Sequence, residues 1–442
     1  MVPSSATAPP AAPSEVSPVA VRRVFYIPGY DPIHPRRYRE LYRKEGAAQA
    51  AISGYDLDLT ARIATPSKTS PRYGWSVAGS MDGAKVASEV DVLVWSDIVR
   101  SSMSHTIGAT YLQLIRTAWT YISTGALWRL MRLRKGPVIA ALYPVGFLLL
   151  QAALACAAFG AVLWLGISAT DRVERAIWPD PSYTPLITYG TLLSALLGLG
   201  TGYAVLRWFK ARDGKFYAYY LMHDYAYAAR YGGANPPALE ARLTEFADEI
   251  AGALSGGADE VLIVGHSSGA HLAVSILADL IRGGRVPATG PALSLLTLGQ
   301  VIPMVSFLPG AHRLRADLAF LSQSRALTWV DVSAPGDGCA FALCDPVAVS
   351  GVTAPRKRWP LVLSAAFTQT LSPARWRELR WKFFRLHFQY LCAFDRPGDY
   401  DYFRITAGPM TLAQRYAGRS PSASRIERAV NKYTSLSADS AS

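Results

Sequence analysis

The sequence predicts an α/β fold, a mostly parallel central sheet flanked by helices, carrying a two-helix transmembrane insertion. Three observations support it. Val261-Leu262-Ile263-Val264 is a short apolar run rich in β-branched residues, the pattern of a strand buried on both faces. A Gly-rich turn follows, and Ala270 to Ala278 then reads as a helix whose small residues allow close approach to a sheet. Two stretches, Pro137 to Ile167 and Pro185 to Leu206, contain no charged residue. Each exceeds the about 20 residues needed to cross a bilayer, and buried helices of soluble proteins rarely run so far without a charge.

The remaining elements follow in chain order. The chain has 442 residues, half of them hydrophobic, and a net charge of +13, enough for one large or two small domains. Residues 1–20 are rich in Pro, Ala and Ser and lack the charged and apolar regions of a signal peptide, so they read as a disordered tail. Residues 21–135 form the N-terminal part of the α/β domain. Here Val24-Phe25-Tyr26-Ile27 is strand-like and is broken by Pro28-Gly29-Tyr30, while "DLDLTARIA", "RYGWSVAG" and "VDVLVWSD" supply further strands. Between Tyr111 and Gly136, Leu112, Ile115, Trp119, Ile122 and Leu130 recur at near-helical spacing with arginines interleaved. That pattern fits a helix lying on a membrane or a helix of the core.

Residues 136–209 form the transmembrane hairpin, in which Gly198 and Gly202 make a G-x-x-x-G suited to close helix approach. Arg129, Arg132, Arg134 and Lys135 precede it, and Arg207, Lys210, Arg212 and Lys215 follow it. The intervening loop mixes Arg172 and Arg175 with Asp171, Glu174 and Asp180. The excess of positive charge on the outer flanks places them, and both termini, on the cytoplasmic side of an inner or plasma membrane. One domain can then be assembled from the chain on either side of the hairpin. Its C-terminal part covers 210–408, and 409–442 reads as a polar tail. Four cysteines without C-x-x-C spacing suggest neither a disulfide framework nor a metal site, and Cys339, Cys344 and Cys392 read as reduced core residues.

Between the apolar run and the helix stands Gly265-His266-Ser267-Ser268-Gly269, a G-x-S-x-G centred on Ser267. With a strand before and a helix after, it resembles the nucleophile elbow of the α/β-hydrolase superfamily, in particular its lipase and esterase branch. The resemblance covers most of the chain outside the tails and the hairpin. It implies an α/β-hydrolase fold, Ser267 as nucleophile, and a downstream acid and histidine in that order. Of seven histidines, His34, His105 and His223 precede the elbow, His266 and His271 lie in or beside it, and His312 comes before the next strand pair. His387 is the one left in the implied position. For the acid, "ALSLLTLG" and "ALTWVDVSAPGDG" read as the next two strands, and Asp337 falls in the turn after the second. Asp331 lies within the strand pattern and Asp345 is a third choice. The resemblance further implies an oxyanion hole made by the Tyr30 and Ser268 amides, although Pro28-Gly29 stands where lipases commonly carry His-Gly.

The run "RWRELRWKFFRLHF", Arg375 to Phe388, is basic and aromatic. Beside a membrane hairpin, anionic headgroups suit it better than nucleic acid; a solvated helix face with its aromatics in the core is the plainer alternative. The expected function is a membrane-anchored serine esterase, acting without cofactor or metal on a lipid or other apolar acyl ester, with residues 136–209 in the bilayer. An acyltransferase on the same fold, or a non-catalytic membrane scaffold, are the alternatives.

Overall fold

The computed structural model describes residues 18–62, 73–103, 106–177 and 185–437. Most of the expected N-terminal tail, His105, and the tip of the hairpin around Asp180 lie outside them. The strands are β1 Val21–Ile27, β2 Asp56–Ala61, β3 Tyr73–Met81, β4 Ala84–Val92, β5 Glu260–His266, β6 Ala292–Leu298, β7 Thr328–Ser333 and β8 Leu361–Ser364. They form one sheet in the order β2-β3-β4-β1-β5-β6-β7-β8. The pairs β4-β1, β1-β5, β5-β6, β6-β7 and β7-β8 are parallel, and β3 runs antiparallel to both neighbours.

Between β1 and β2 lies α1 Arg36–Ser53. Between β4 and β5 come α2 Ser96–Ser102, α3 Ile107–Ser123, α4 Ala126–Leu133, α5 Lys135–Ile177, α6 Pro185–Ala211, α7 Asp213–Phe216, α8 Ala218–Arg230 and α9 Pro237–Leu254. After β5 follow α10 Gly269–Arg282, α11 Ile302–Ser306, α12 His312–Gln323, α13 Pro346–Val349, α14 Phe367–Thr370, α15 Pro373–Leu379, α16 Phe383–His387, α17 Tyr402–Ala407 and α18 Leu412–Arg415.

Strand alternation sends successive side chains to opposite faces. Phe25, Ile27, Val261 and Ile263 pack with α9, α10 and α12 on one face; Val24, Tyr26, Leu262 and Val264 pack with α1 and α17 on the other. A central parallel strand covered on both sides is buried throughout its length, as β5 is, and its middle, Val261 to Val264, is apolar. At the N-terminal ends of the two central strands, opposite the turns described below, Arg22 and Glu260 form a fully buried pair at 2.6 Å. Arg22 also donates to the Gly408 and Met410 carbonyls, and Glu260 accepts from Ser294 and the Leu412 amide.

Three segments differ from their expected form. The 409–442 stretch expected as a polar tail packs on the body as far as residue 437. Its backbone bonds to the Arg22–Glu260 pair, Ser422 donates to Val362, and Ile426 bridges Cys344. Polar composition hid this, because the contacts are made largely by main chain. Strand β4 starts at Ala84 and ends at Val92, ahead of the expected "VDVLVWSD", since Trp95 leaves the sheet to donate to the Pro28 carbonyl. Helix α5 runs past the apolar stretch into the expected loop, where no Pro or Gly stops it and Asp171 pairs with Arg175 one turn on.

Helices α5 and α6 are each long and apolar enough to cross a membrane, and only 17% and 11% of their apolar windows are buried. An apolar core helix would be enclosed; these two meet each other and stand largely clear of the body. A Cβ on Gly198 would lie 2.9 Å from the Phe159 ring, and one on Gly202 would lie 3.1 Å from the Ala155 carbonyl, so the G-x-x-x-G faces α5. On α3, Leu112, Ile115, Trp119 and Ile122 are exposed while Leu114 and Tyr121 are buried, and Leu130 on α4 is buried.

Candidate active site

Strand order reverses around β1. The chain fills positions on one side of it with β2, β3 and β4, then crosses to the other side with β5. Crevices at such switch points, at the carboxyl ends of the strands, are where open α/β sheets hold ligands. Ser267 stands there, immediately after β5. Its φ is 56°, a left-handed conformation that costs a non-glycine residue free energy. The turn is tied down by the Ser267 amide donating to Leu298 at 2.9 Å and the Ala270 amide donating to Ser267 at 3.1 Å. Side chains at its flanks would not fit: a Cβ on Gly265 would meet Ala270 Cα at 2.8 Å, and one on Gly269 would collide with the Ile27 carbonyl. The loop after β1 reaches the same point, so a Cβ on Gly29 would lie 3.0 Å from Ser267 Cβ and 3.4 Å from its Oγ. Among the described residues, neither the Tyr30 nor the Ser268 amide donates to a protein acceptor.

His387, at the end of α16, lines the same wide cleft as Ser267 and Tyr30, about 900 Å³ in volume. Its Nδ1 lies 2.7 Å from Asp337 Oδ2. The turn after β7 presents Asp337, and its carboxylate also accepts from Tyr390 at 3.0 Å and from the Cys339 amide at 2.8 Å. Burial alone would raise the Asp337 carboxyl, but the charge of His387 and these donors outweigh it and hold the group below its usual range. The other two acids are engaged elsewhere. Asp331 accepts from Thr297 at 2.6 Å inside the sheet, where burial pushes it up to about 8. Asp345 caps α13 through the Val347 and Ala348 amides and pairs with Lys357.

Sequence reasoning missed two residues that hold this arrangement. His266 Nε2 lies 3.0 Å from the His387 carbonyl, so the residue before the serine positions the backbone of the histidine. Burial, reinforced by the nearby His387, pushes His266 down to about 3, which keeps it neutral with the proton on Nε2. Tyr390 joins Asp337 to the Ala334 amide. Its place three residues after His387 was the only sequence signal for it.

Asp337, Cys339 and His387 bring three possible metal ligands within 4.8 Å of one another. The carboxylate already accepts from three donors, and burial, then Asp337 and Asp224, raise the Cys339 thiol well above its usual range. A protonated thiol is a poor metal ligand. All four cysteines are free.

The elements of the fold and the site together define a mixed α/β protein with an eight-stranded, mostly parallel sheet. No family model, curated protein or solved structure matches the chain.

Proposed function

We propose that the protein is a membrane-anchored serine hydrolase of α/β-hydrolase fold that cleaves carboxylic esters of apolar acyl groups. The observation that carries the reading is a serine held at positive φ between strand and helix, on a cleft also lined by His387, whose Nδ1 is paired with the buried Asp337. Ser267 Oγ would attack the ester carbonyl while His387 Nε2 takes its proton, and Asp337 would stabilise the imidazolium. The negative oxygen that forms is matched by two unengaged amides, Tyr30 and Ser268. Collapse expels the alcohol, which receives the proton from His387, and water then releases the acid from the acyl-serine by the same route.

Support for an apolar substrate comes from the position of the cleft. Tyr217, at the junction of α7 and α8, lines its wall only a few residues after α6. In the basic run, Trp381 and Phe383 are exposed while Trp376 and Phe388 pack against the core, so part of its aromatic surface faces outward. With α5 and α6 in the bilayer and both basic flanks on the cytoplasmic side, the cleft would lie near the headgroups.

A fluorophosphonate probe tests the reading. Wild type and Ser268→Ala should label covalently, and Ser267→Ala should not. Labelling that survives the loss of Ser267 would overturn it.

A further inference from the structure

Behind the serine lies a second, smaller cavity of about 90 Å³. Tyr30, Leu221, Asp224, Ser267 and Phe384 line both this inner pocket and the wide cleft, so a molecule presented to Ser267 can reach into it. Although the chain carries a charge of +13, among the described residues no Lys or Arg lines the inner pocket, and Asp224 is its only acid.

Asp224, itself only partly buried, differs from the buried acids of the domain. Asp331, Asp337 and Asp345 each accept hydrogen bonds. Asp224 has no hydrogen-bond or ion-pair partner among the described residues, and the only charge acting on it is that of His387. Its side chain is open to the cavities yet enclosed by protein, and this enclosure pushes its carboxyl up to about 7. The same pocket is lined by three rings packed on one another: Tyr30 to Tyr227 at 5.6 Å, Tyr30 to Trp95 at 6.1 Å, and Trp95 to Tyr227 at 6.1 Å. The Tyr227 hydroxyl and His271 Nδ1, both at the pocket, are buried without partners.

An unpaired carboxylate beside aromatic faces, with no protein cation to satisfy it, is complementary to an organic cation. The negative faces of Tyr and Trp rings attract ammonium groups, and most strongly where water is excluded. A divalent metal would need several oxygen ligands and finds one carboxylate here. We propose that the inner pocket seats a cationic nitrogen of the substrate, an amine or quaternary ammonium group held by Asp224 and the faces of Tyr30, Trp95 and Tyr227. The wide cleft is left for the apolar part. The word substrate rests on the hydrolase reading; the affinity of the pocket for a cation does not.

The test uses the full-length Ser267→Ala protein in a nonionic maltoside detergent and isothermal titration calorimetry. Choline should bind at least about tenfold more tightly than 3,3-dimethylbutanol, its uncharged isostere. Asp224→Asn should abolish the preference, and Tyr227→Leu should weaken it. Asp31→Asn should keep it, since Asp31 already bonds to Tyr38 and Arg37 in the cleft. Thermal melting of Asp224→Asn checks its fold, which the loss of an unpaired buried charge should not harm. A second arm compares monomeric dihexanoyl phosphatidylcholine with dihexanoyl phosphatidylglycerol. Preference for choline alone assigns a soluble cationic ester, and preference for the phosphatidylcholine as well assigns a lipid headgroup. Equal binding of choline and its isostere, or a preference that survives Asp224→Asn, overturns the proposal. If Ser267 does not label with the fluorophosphonate but choline binding still depends on Asp224, the hydrolase reading falls and the cation site stands.

Discussion

Replacing Asp337 by Asn keeps the shape of the acid and removes its charge, and the hydrogen-bond pattern dictates the consequence. The carboxylate faces three donors: the Cys339 amide on Oδ1, and His387 Nδ1 and the Tyr390 hydroxyl on Oδ2. An asparagine has only one oxygen to offer. If that oxygen faces Cys339, the side-chain NH2 faces His387 and requires Nδ1 to accept. The proton of the ring then moves to Nε2, the atom that takes the proton of Ser267 in the proposed mechanism, and that base would be lost. If the oxygen faces His387, the NH2 points at the Cys339 N–H and two donors oppose each other in a buried site, at a cost of about 1–3 kcal/mol. The first arrangement satisfies more groups and is the expected one. The equivalent change in a serine protease lowers kcat about ten-thousand-fold with the geometry intact, which is about 5.5 kcal/mol of transition-state stabilisation. Turnover of a short-chain p-nitrophenyl ester by purified Asp337→Asn should fall by about that factor, with the melting transition retained. A folded Asp337→Asn enzyme within tenfold of wild type would refute both the tautomer argument and the choice of acid.

The other predictions concern neighbours of the site, pH and topology. His266→Phe leaves the His387 carbonyl buried without its donor and should reduce kcat, whereas His266→Gln, whose Nε2 can replace the ring nitrogen, should recover much of it; equal rates for both would show that His266 does not position His387. Asp331, pushed up to about 8 by burial, keeps in the folded state a proton that the unfolded chain loses near pH 4. Stability should therefore fall as pH rises through about 4 to 8, by at most about 1.4 kcal/mol per unit, and Asp331→Asn should flatten that slope in urea titrations at pH 5 and pH 8. Reporter fusions at both termini should report the cytoplasmic side and an insertion near Pro181 the far side; termini on opposite sides would mean that only one helix spans.

What the sequence disclosed about the site was local or ordered along the chain. The strand, the G-x-S-x-G turn and the helix are contiguous, so the geometry around Ser267 follows from a dozen residues. His387 and Asp337 are far apart in sequence, and the chain order implied by the resemblance proposed the pair that lies at 2.7 Å. Non-local features were hidden. No periodicity announces that β1 lies between β4 and β5, because register is decided by pairing partners elsewhere in the chain. Asp224 was passed over within "FYAYYLMHDYAYAARY", where a lone acid in a tyrosine-rich helix was the available signal. Only the fold reveals that its carboxylate faces the serine pocket without a partner.

The hairpin leaves the domain and returns to it at the cleft, and this limits how its role can be tested. On the outgoing side, Arg134 bonds to the Ala342 carbonyl, and Pro137 at the start of α5 lines the inner pocket. A Cβ on Gly136 would touch Gly338, the residue after Asp337. On the returning side, Tyr217, Tyr220, Leu221 and Asp224 wall the cleft, and the Tyr217 ring lies 5.6 Å from Phe384, three residues before His387. Tyr217 comes six positions after Ala211, so even a fully extended chain would place the cleft wall within roughly 20 Å of the end of α6. An anchor on a long flexible tether would leave the chemistry indifferent to the bilayer; this hairpin joins the site wall directly. Deleting residues 136–209 would therefore take Pro137 out of the inner pocket and cut the chain leading into the Tyr217–Asp224 wall, along with the proposed anchor. Loss of activity in such a deletion could not be credited to lost membrane attachment. Substitutions that keep the length of the spans but add charge to them, such as Leu196→Arg on the exposed face of α6, separate the two effects.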